Sequence, residues 1–205
     1  LEQSRKKILD LMNAGSDNLI FTSGGSESDN LALKGCIGWG DGSISSRIIT
    51  TPVEHPAIAA TCDFLEKERR AEISKLRVDK YGCIEEESLI SQLNQQATLV
   101  SVIWANNEIG TVNDIQKLGR ICRERGVLFH TDAVQAVAYL DIDWQQLNVD
   151  LMSFGAHKFY GPKGVGGLVV RKSVRLIPQH TGGSQENALR AGTENVSLIV
   201  GMSTA

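Results

Sequence analysis

The chain has 205 residues, 41% hydrophobic and 22% charged, with a net charge of -3. This is an ordinary globular composition, long enough to bury a real core, with one domain as the natural count. It excludes the basic stripe of a nucleic-acid binder, and no apolar run is long enough to cross a bilayer.

The opening stretch, LEQSRKKILDLMNAG, reads as an amphipathic helix and lacks the apolar core of a signal peptide. No initiator methionine precedes it, so the chain is read as an internal piece of something longer. Further along, short β-branched runs alternate with helical patterns. The predicted strands are LIFT (19–22), RIIT (47–50), EISKLRV (72–78), TLVSVIW (98–104), VLFHT (127–131), DLMSF (150–154) and GGLVV (166–170). The predicted helices include LALKGCIGW, AIAATCDFLEKE, EESLISQLN and IQKLGRICRERG, with Gly126 as the stop of the last. Alternation of this kind predicts an α/β fold with a mainly parallel sheet covered by helices. Cys36, Cys62, Cys83 and Cys122 form no CxxC pair, which argues against a metal site or disulfide framework and for a reducing, cytosolic setting.

Five of the strand runs are followed at once by a polar cluster: SGGSESDN, TPVEHPAI, ANNEIGT, TDAVQ and GAHK. In open α/β sheets, ligands bind beyond the carboxyl ends of strands, so the five clusters are expected to share one crevice. Each has two readings. Gly24, Gly25 and Ser26 suit a phosphate cradle at a helix start, or a plain cap by Ser26 or Ser28. His55, between Pro52 and Pro56, can lay its ring on an aromatic ligand or sit in solvent. Asn106 and Asn107 can read hydroxyls or build a turn. Asp132 ends a buried strand and needs a partner, either a protonated ring nitrogen or the amides of a helix it caps, with Gln135 on the same side. His130 is expected to be packed rather than catalytic. Lys158 can become a nucleophile toward an aldehyde, with His157 beside it able to donate to a phosphate. A phosphate cradle, a stacking histidine, an aspartate for a ring nitrogen and an imine-forming lysine together describe pyridoxal 5'-phosphate.

The stretches TSGGSESDNLALKG, VEHPAI, ANNEIGTVNDI, HTDAVQA, LMSFGAHKFYGPKGVGGL and LRAGTENV, in this order, closely resemble the cysteine desulfurases of the class V aminotransferase superfamily. The GPKG stretch resembles the iron–sulfur and nitrogen-fixation branch. The resemblance covers nearly the whole chain. It implies the fold-type I pyridoxal-phosphate large domain, an α/β/α sandwich with helices on both faces, and a homodimer. Lys158 then matches the cofactor-binding lysine and His55 the stacking, proton-moving histidine. Asp132 matches the partner of the ring nitrogen, and Gln135 and Asn107 match contacts to the ring oxygen. Gly25, Ser26 and His157 match phosphate contacts, and Thr193 a threonine that reaches the phosphate held by a neighbouring subunit.

The reaction so implied takes L-cysteine to L-alanine, with the sulfur caught as a persulfide for a sulfur-acceptor or scaffold protein. The resemblance also sets expectations about what this chain lacks. Residues 1–205 correspond to the cofactor-binding large domain, without the N-terminal segment, the catalytic cysteine loop and the small C-terminal domain. Gly155 stands where relatives commonly carry a serine that contacts the phosphate. Two alternatives stay open: a selenocysteine lyase or other class V transferase, and a non-catalytic cofactor-binding remnant. No metal, nucleic acid or membrane is expected, and the setting is cytoplasmic.

Overall fold

The computed structural model describes residues 1–37 and 46–205. Helix α1 (Glu2–Leu11) leads into β1 (Asn18–Thr22), α2 (Gly25–Cys36), β2 (Arg47–Thr50), α3 (Pro56–Lys67) and β3 (Glu72–Lys75). Then follow α4 (Glu86–Gln92), β4 (Leu99–Ile103), α5 (Ile115–Glu124), β5 (Leu128–Asp132), β6 (Leu151–Gly155), β7 (Gly166–Val170) and α6 (Val196–Thr204). All seven predicted strands exist: β2 and β7 match, β3 and β4 are shorter, β1 starts one residue earlier, and β5 and β6 are shifted by one residue. The helical stretch LALKGCIGW is borne out as far as Cys36, and its last two residues, Gly38 and Trp39, lie outside the described residues. The strand expected over 72–78 ends at Lys75, and its tail instead bridges Val78 to Ile84.

The strand order is β1-β7-β6-β5-β4-β2-β3. Only β7 runs against its neighbours, β1 and β6; the pairs β2–β3, β2–β4, β4–β5 and β5–β6 are parallel. The carboxyl ends of β1, β2, β4, β5 and β6 therefore lie at one edge of the sheet. The start of β7 joins them there, with Gly166 opposite both Thr22 and Gly155.

Side-chain alternation along each strand sorts the core into two layers. Leu19, Phe21, Ile49, Val100, Val102, Phe129, Met152 and Val169 pack with α1, α4, α5 and α6 through Ile8, Leu89, Ile121 and Met202. Ile20, Ile48, Leu99, Leu151 and Leu168 pack on the opposite face with α2 and α3 through Leu31, Leu33, Ile58 and Leu65. Both faces of the sheet are thus covered, as its parallel strands require. The caps follow local rules: Asp114 accepts the Lys117 amide at 3.0 Å to start α5, and Gly126 ends it at φ +67°.

Two expectations change. Asp132 and Gln135 lead into one 3-10 turn, Ala136–Ala138, and not into an α-helix. The α6 helix has no counterpart in the sequence reading. Its segment VSLIVGMST is apolar nearly all round, and only the cap by Asn195, which accepts the Leu198 amide, marks its start.

Candidate functional site

The segments that leave the five strand ends line one crevice of about 470 Å³. Between β1 and α2, Gly24 holds the N-cap position without any side-chain bond to the helix. Ser28 turns inward instead, its hydroxyl 2.8 Å from that of Thr22 and 3.2 Å from the Gly24 carbonyl. Neither serine caps, so the helix start faces the crevice through Gly25 and Ser26 with its positive end open. Gly25 is required there: a Cβ would stand 2.4 Å from Cγ2 of Val134, which follows β5.

After β2, His55 is exposed, and it takes a role that neither reading named. Its Nδ1 accepts the Ala57 amide at 3.1 Å, capping α3 ahead of Pro56, while the ring lines the crevice. A ring nitrogen that accepts an amide leaves the imidazole proton on Nε2. After β4, the two asparagines part ways. Asn106 builds the turn, donating to the Val53 carbonyl at 2.7 Å and accepting the Glu108 and Ile109 amides; Asn107 lines the crevice.

After β5, Asp132 is buried at the crevice floor and accepts the Val134 amide at 2.9 Å. Burial raises its carboxyl, against the Val134 hydrogen bond and the nearby charge of Lys158. Gln135 lines the same wall, and its Oε1 is buried with no hydrogen-bond partner. After β6, a 3-10 turn, Ala156–Lys158, presents His157 and Lys158 to the crevice, both exposed. Burial, then the charges of Lys158 and Lys163, hold the His157 imidazole below its ordinary range. A Cβ on Gly155 would stand 3.3 Å from both the Gly25 nitrogen and His157 Nδ1, so any side chain there would reach the anion end of the crevice. Thr193 lies elsewhere. It is exposed and lines a neighbouring hollow with Ser23, Gly164 and Glu194.

His130 is a packed histidine, as expected. It is fully buried between the Ser101 and Ser153 hydroxyls, each 2.9 Å from a ring nitrogen, and burial lowers it to about 3. Sequence reading missed Asp29, Glu54 and Lys163. Asp29 and Lys163 line the crevice. Asp29 is 1% exposed, and burial followed by the Asp132 charge raises its carboxyl well above the ordinary range. Its one sequence signal is helical spacing, since it lies one turn after Gly25. Among the described residues, Asp29, His55 and Asp132 bring one ligand-type atom each to within 4.8 Å of one another. All four cysteines are free and none lines the crevice.

These residues fit pyridoxal 5'-phosphate. An uncapped helix start suits its phosphate, a buried aspartate with a cation nearby suits its ring nitrogen, and the unpartnered Gln135 oxygen lacks the donor that a ring hydroxyl would supply. Lys158 and Lys163 are the amines within reach of the crevice.

A family model described as aminotransferase class-V matches residues 1–205. The chain is 48% identical over 205 residues to the cysteine desulfurase IscS of Dictyoglomus turgidum, covering 100% of this chain and 52% of that protein. It is 46% identical to the mitosomal cysteine desulfurase of Trachipleistophora hominis, covering 100% of this chain and 47% of that one. A solved structure described as SspA in complex with cysteine superposes with a TM-score of 0.92 at 37% identity, over 98% of this chain and 58% of the other. The chain thus spans about half the length of the curated relatives it matches.

Proposed function

We propose, from the premise that this chain belongs to the aminotransferase class-V family, that it is the cofactor-binding large domain of a cysteine desulfurase. Its substrate in this reading is L-cysteine, its products L-alanine and a persulfide sulfur for an acceptor or scaffold protein. The observation that supports the reading most is the meeting of Asp132, His55 and Lys158 with the open start of α2 in one crevice. The names of the similar proteins favour desulfurase over the other transferases of the family, and the solved neighbour carries cysteine.

Bound pyridoxal phosphate would supply an aldehyde carbon for an amine to join and a ring that draws electrons from the substrate carbon attached to it. Gly25, Ser26 and His157 bind the phosphate in this assignment, through helix-start amides and an imidazole. Asp132 would keep a proton on the ring nitrogen, His55 would lie against the ring, and Asn107 and Gln135 would hold its oxygen. Lys158 would supply the amine that holds the cofactor aldehyde. Thr193, exposed and outside its own crevice, suits service to a second copy, so the working unit is a homodimer. Cys36, Cys62 and Cys122 are poor sulfur carriers, since burial pushes each thiol up to about 12. Cys83, like the other three, does not line the crevice, so the cysteine that takes the sulfur is assigned outside this chain. Free thiols and no membrane-crossing helix among the described residues agree with a cytoplasmic setting.

The test is a visible absorption spectrum of the chain with pyridoxal phosphate, followed by borohydride and peptide mapping. A band in the visible, fixed covalently on Lys158 and lost in Lys158→Ala, is the expected outcome. Fixation on Lys163, or no band with the fold intact, would overturn the assignment.

A further inference from the structure

We infer that Asp29 is a positioning residue acting through Asp132: it stays a neutral carboxylic acid beneath the crevice floor and so leaves Asp132 the ionised member of a buried pair. The inference deepens the proposed function and rests on it for its purpose, since the ring nitrogen needs a charged Asp132.

The geometry sets the conflict. Asp29 lies in α2 on the side that faces the sheet, 1% exposed, and Asp132 ends β5 at 3%. Their oxygens lie within 4.8 Å of each other, and water is excluded from both. Two carboxylates at that separation in a buried place do not both ionise; one keeps a proton.

The surroundings decide which. Asp132 accepts a backbone amide, and Lys158 after β6 acts on it as a cation. No lysine or arginine acts on Asp29, and the His55 ring, within 4.8 Å of both carboxyls, does not tell them apart. Ser153 of β6 hydrogen-bonds its carboxyl, and the charges that act on it are Asp132 and Glu54, both acidic. The nearest imidazole, His130 Nε2 on β5, is 3.7 Å from Oδ1 of Asp29, beyond a hydrogen bond. That ring already holds Ser101 and Ser153, and burial keeps it neutral. Oδ1 of Asp29 is buried with no partner at all. A bare charge on that oxygen would carry the full cost of desolvation, whereas a neutral carboxyl carries far less. The proton therefore belongs on Asp29. An ionised Asp29 would instead drive a proton onto Asp132 and remove the charge that the ring nitrogen needs.

The test is infrared spectroscopy of the full chain at neutral pH, in the carbonyl region of protonated carboxylic acids. Asp29→Asn keeps the shape of the neutral acid, so it should lose one such band while the rest of the spectrum stays. Retention of every carboxylic-acid band in Asp29→Asn would overturn the inference. If that variant does not fold, wild-type chain labelled with ¹³C at aspartate carboxyls gives the answer by NMR. One buried aspartate resonance at the protonated position, still present in Asp132→Asn, supports the inference. Its absence, or its loss in Asp132→Asn, defeats it. Both measurements are made without cofactor, so they succeed or fail independently of borohydride fixation on Lys158.

Discussion

The Ile103 amide donates to Oε1 of Glu54 at 3.0 Å, tying the end of β4 to the turn that follows β2. The Thr51 hydroxyl donates to the same oxygen at 2.7 Å, while Oε2 is buried with no partner. Parts of Glu54 reach the surface, but its carboxyl does not, and burial raises it from 4.5 to about 8. Between those values the folded chain binds a proton that the unfolded chain has released, so stability falls as pH rises, by about 1.4 kcal/mol per pH unit. His130 works the other way. It is neutral in the fold down to about 3, so below 6.5 the unfolded chain binds the extra proton and stability falls as pH falls. The window from 6.5 to about 8 is therefore free of that opposing slope, and Asp29, held protonated in the fold, adds to the fall there. Urea midpoints of the cofactor-free chain should drop across it, and Glu54→Gln should make that drop shallower. Equal slopes in the two proteins would show that Glu54 holds no proton there.

Glu186 ties the segment before α6 to the first two elements of the fold. Its carboxylate accepts from Arg5 of α1 at 2.8 and 3.0 Å and from the Phe21 amide of β1 at 2.8 Å, with the Glu186 side chain 2% exposed. Glu186, Asn187 and Ala188 all sit at positive φ, 48°, 56° and 62°, a left-handed run that local preference alone would not choose. Glu186→Ala would leave the Phe21 amide without its partner and Arg5 with only Glu2 and the Leu19 carbonyl. Such breaks cost about 3–5 kcal/mol. A loss of that size in urea unfolding is expected; a loss below about 1 kcal/mol, the ordinary worth of a surface pair, would show that the ion pair does not hold the segment.

The sheet was legible because its strands are β-branched runs whose alternate residues serve two cores, as Leu19 and Phe21 against Ile20 illustrate. The crevice was legible because five polar clusters begin where five strands end. The reversal of β7 left only a length signal: ten residues join Gly155 to Gly166, short for the crossover that a parallel neighbour needs. Its pairing with β1, far off in sequence, left none. Asp29 and Glu54 were missed for a related reason. Their character comes from neighbours on β4, β5 and β6 and from oxygens that lack partners, and neither property is written in ESDN or VEHP. The helix expected after Asp132 is a single 3-10 turn, although Asp132 accepts the Val134 amide as a cap would.

Gly25 carries a prediction about binding. An added methyl would press on Val134 Cγ2 at 2.4 Å, so Val134 must turn or the start of α2 must retreat from the crevice. Overpacking of this kind costs about 1–3 kcal/mol, which is roughly tenfold or more in affinity if it falls on the bound state. Gly25→Ala should thus bind pyridoxal phosphate more weakly in a fluorescence titration, with unchanged circular dichroism. Adding Val134→Ala should restore much of the loss by making room. Undiminished binding in Gly25→Ala would mean that the close approach plays no part in shaping the cradle.

The cysteines test the division of labour in the proposed reaction. Sulfur transfer needs a thiolate that can reach the substrate. Cys62 is 1% exposed in the core beneath α3, and Cys122 is fully buried on α5. Burial, with acidic neighbours adding to it, raises both thiols to about 12. In the folded chain at neutral pH, neither should react with iodoacetamide on the timescale that modifies both in urea. After exposure of the cofactor-loaded chain to L-cysteine, mass spectrometry should find no added sulfur on either. Rapid native alkylation would contradict their burial. A persulfide on Cys62 or Cys122 would be more serious, because the sulfur-accepting thiol would then lie inside this chain and not beyond it.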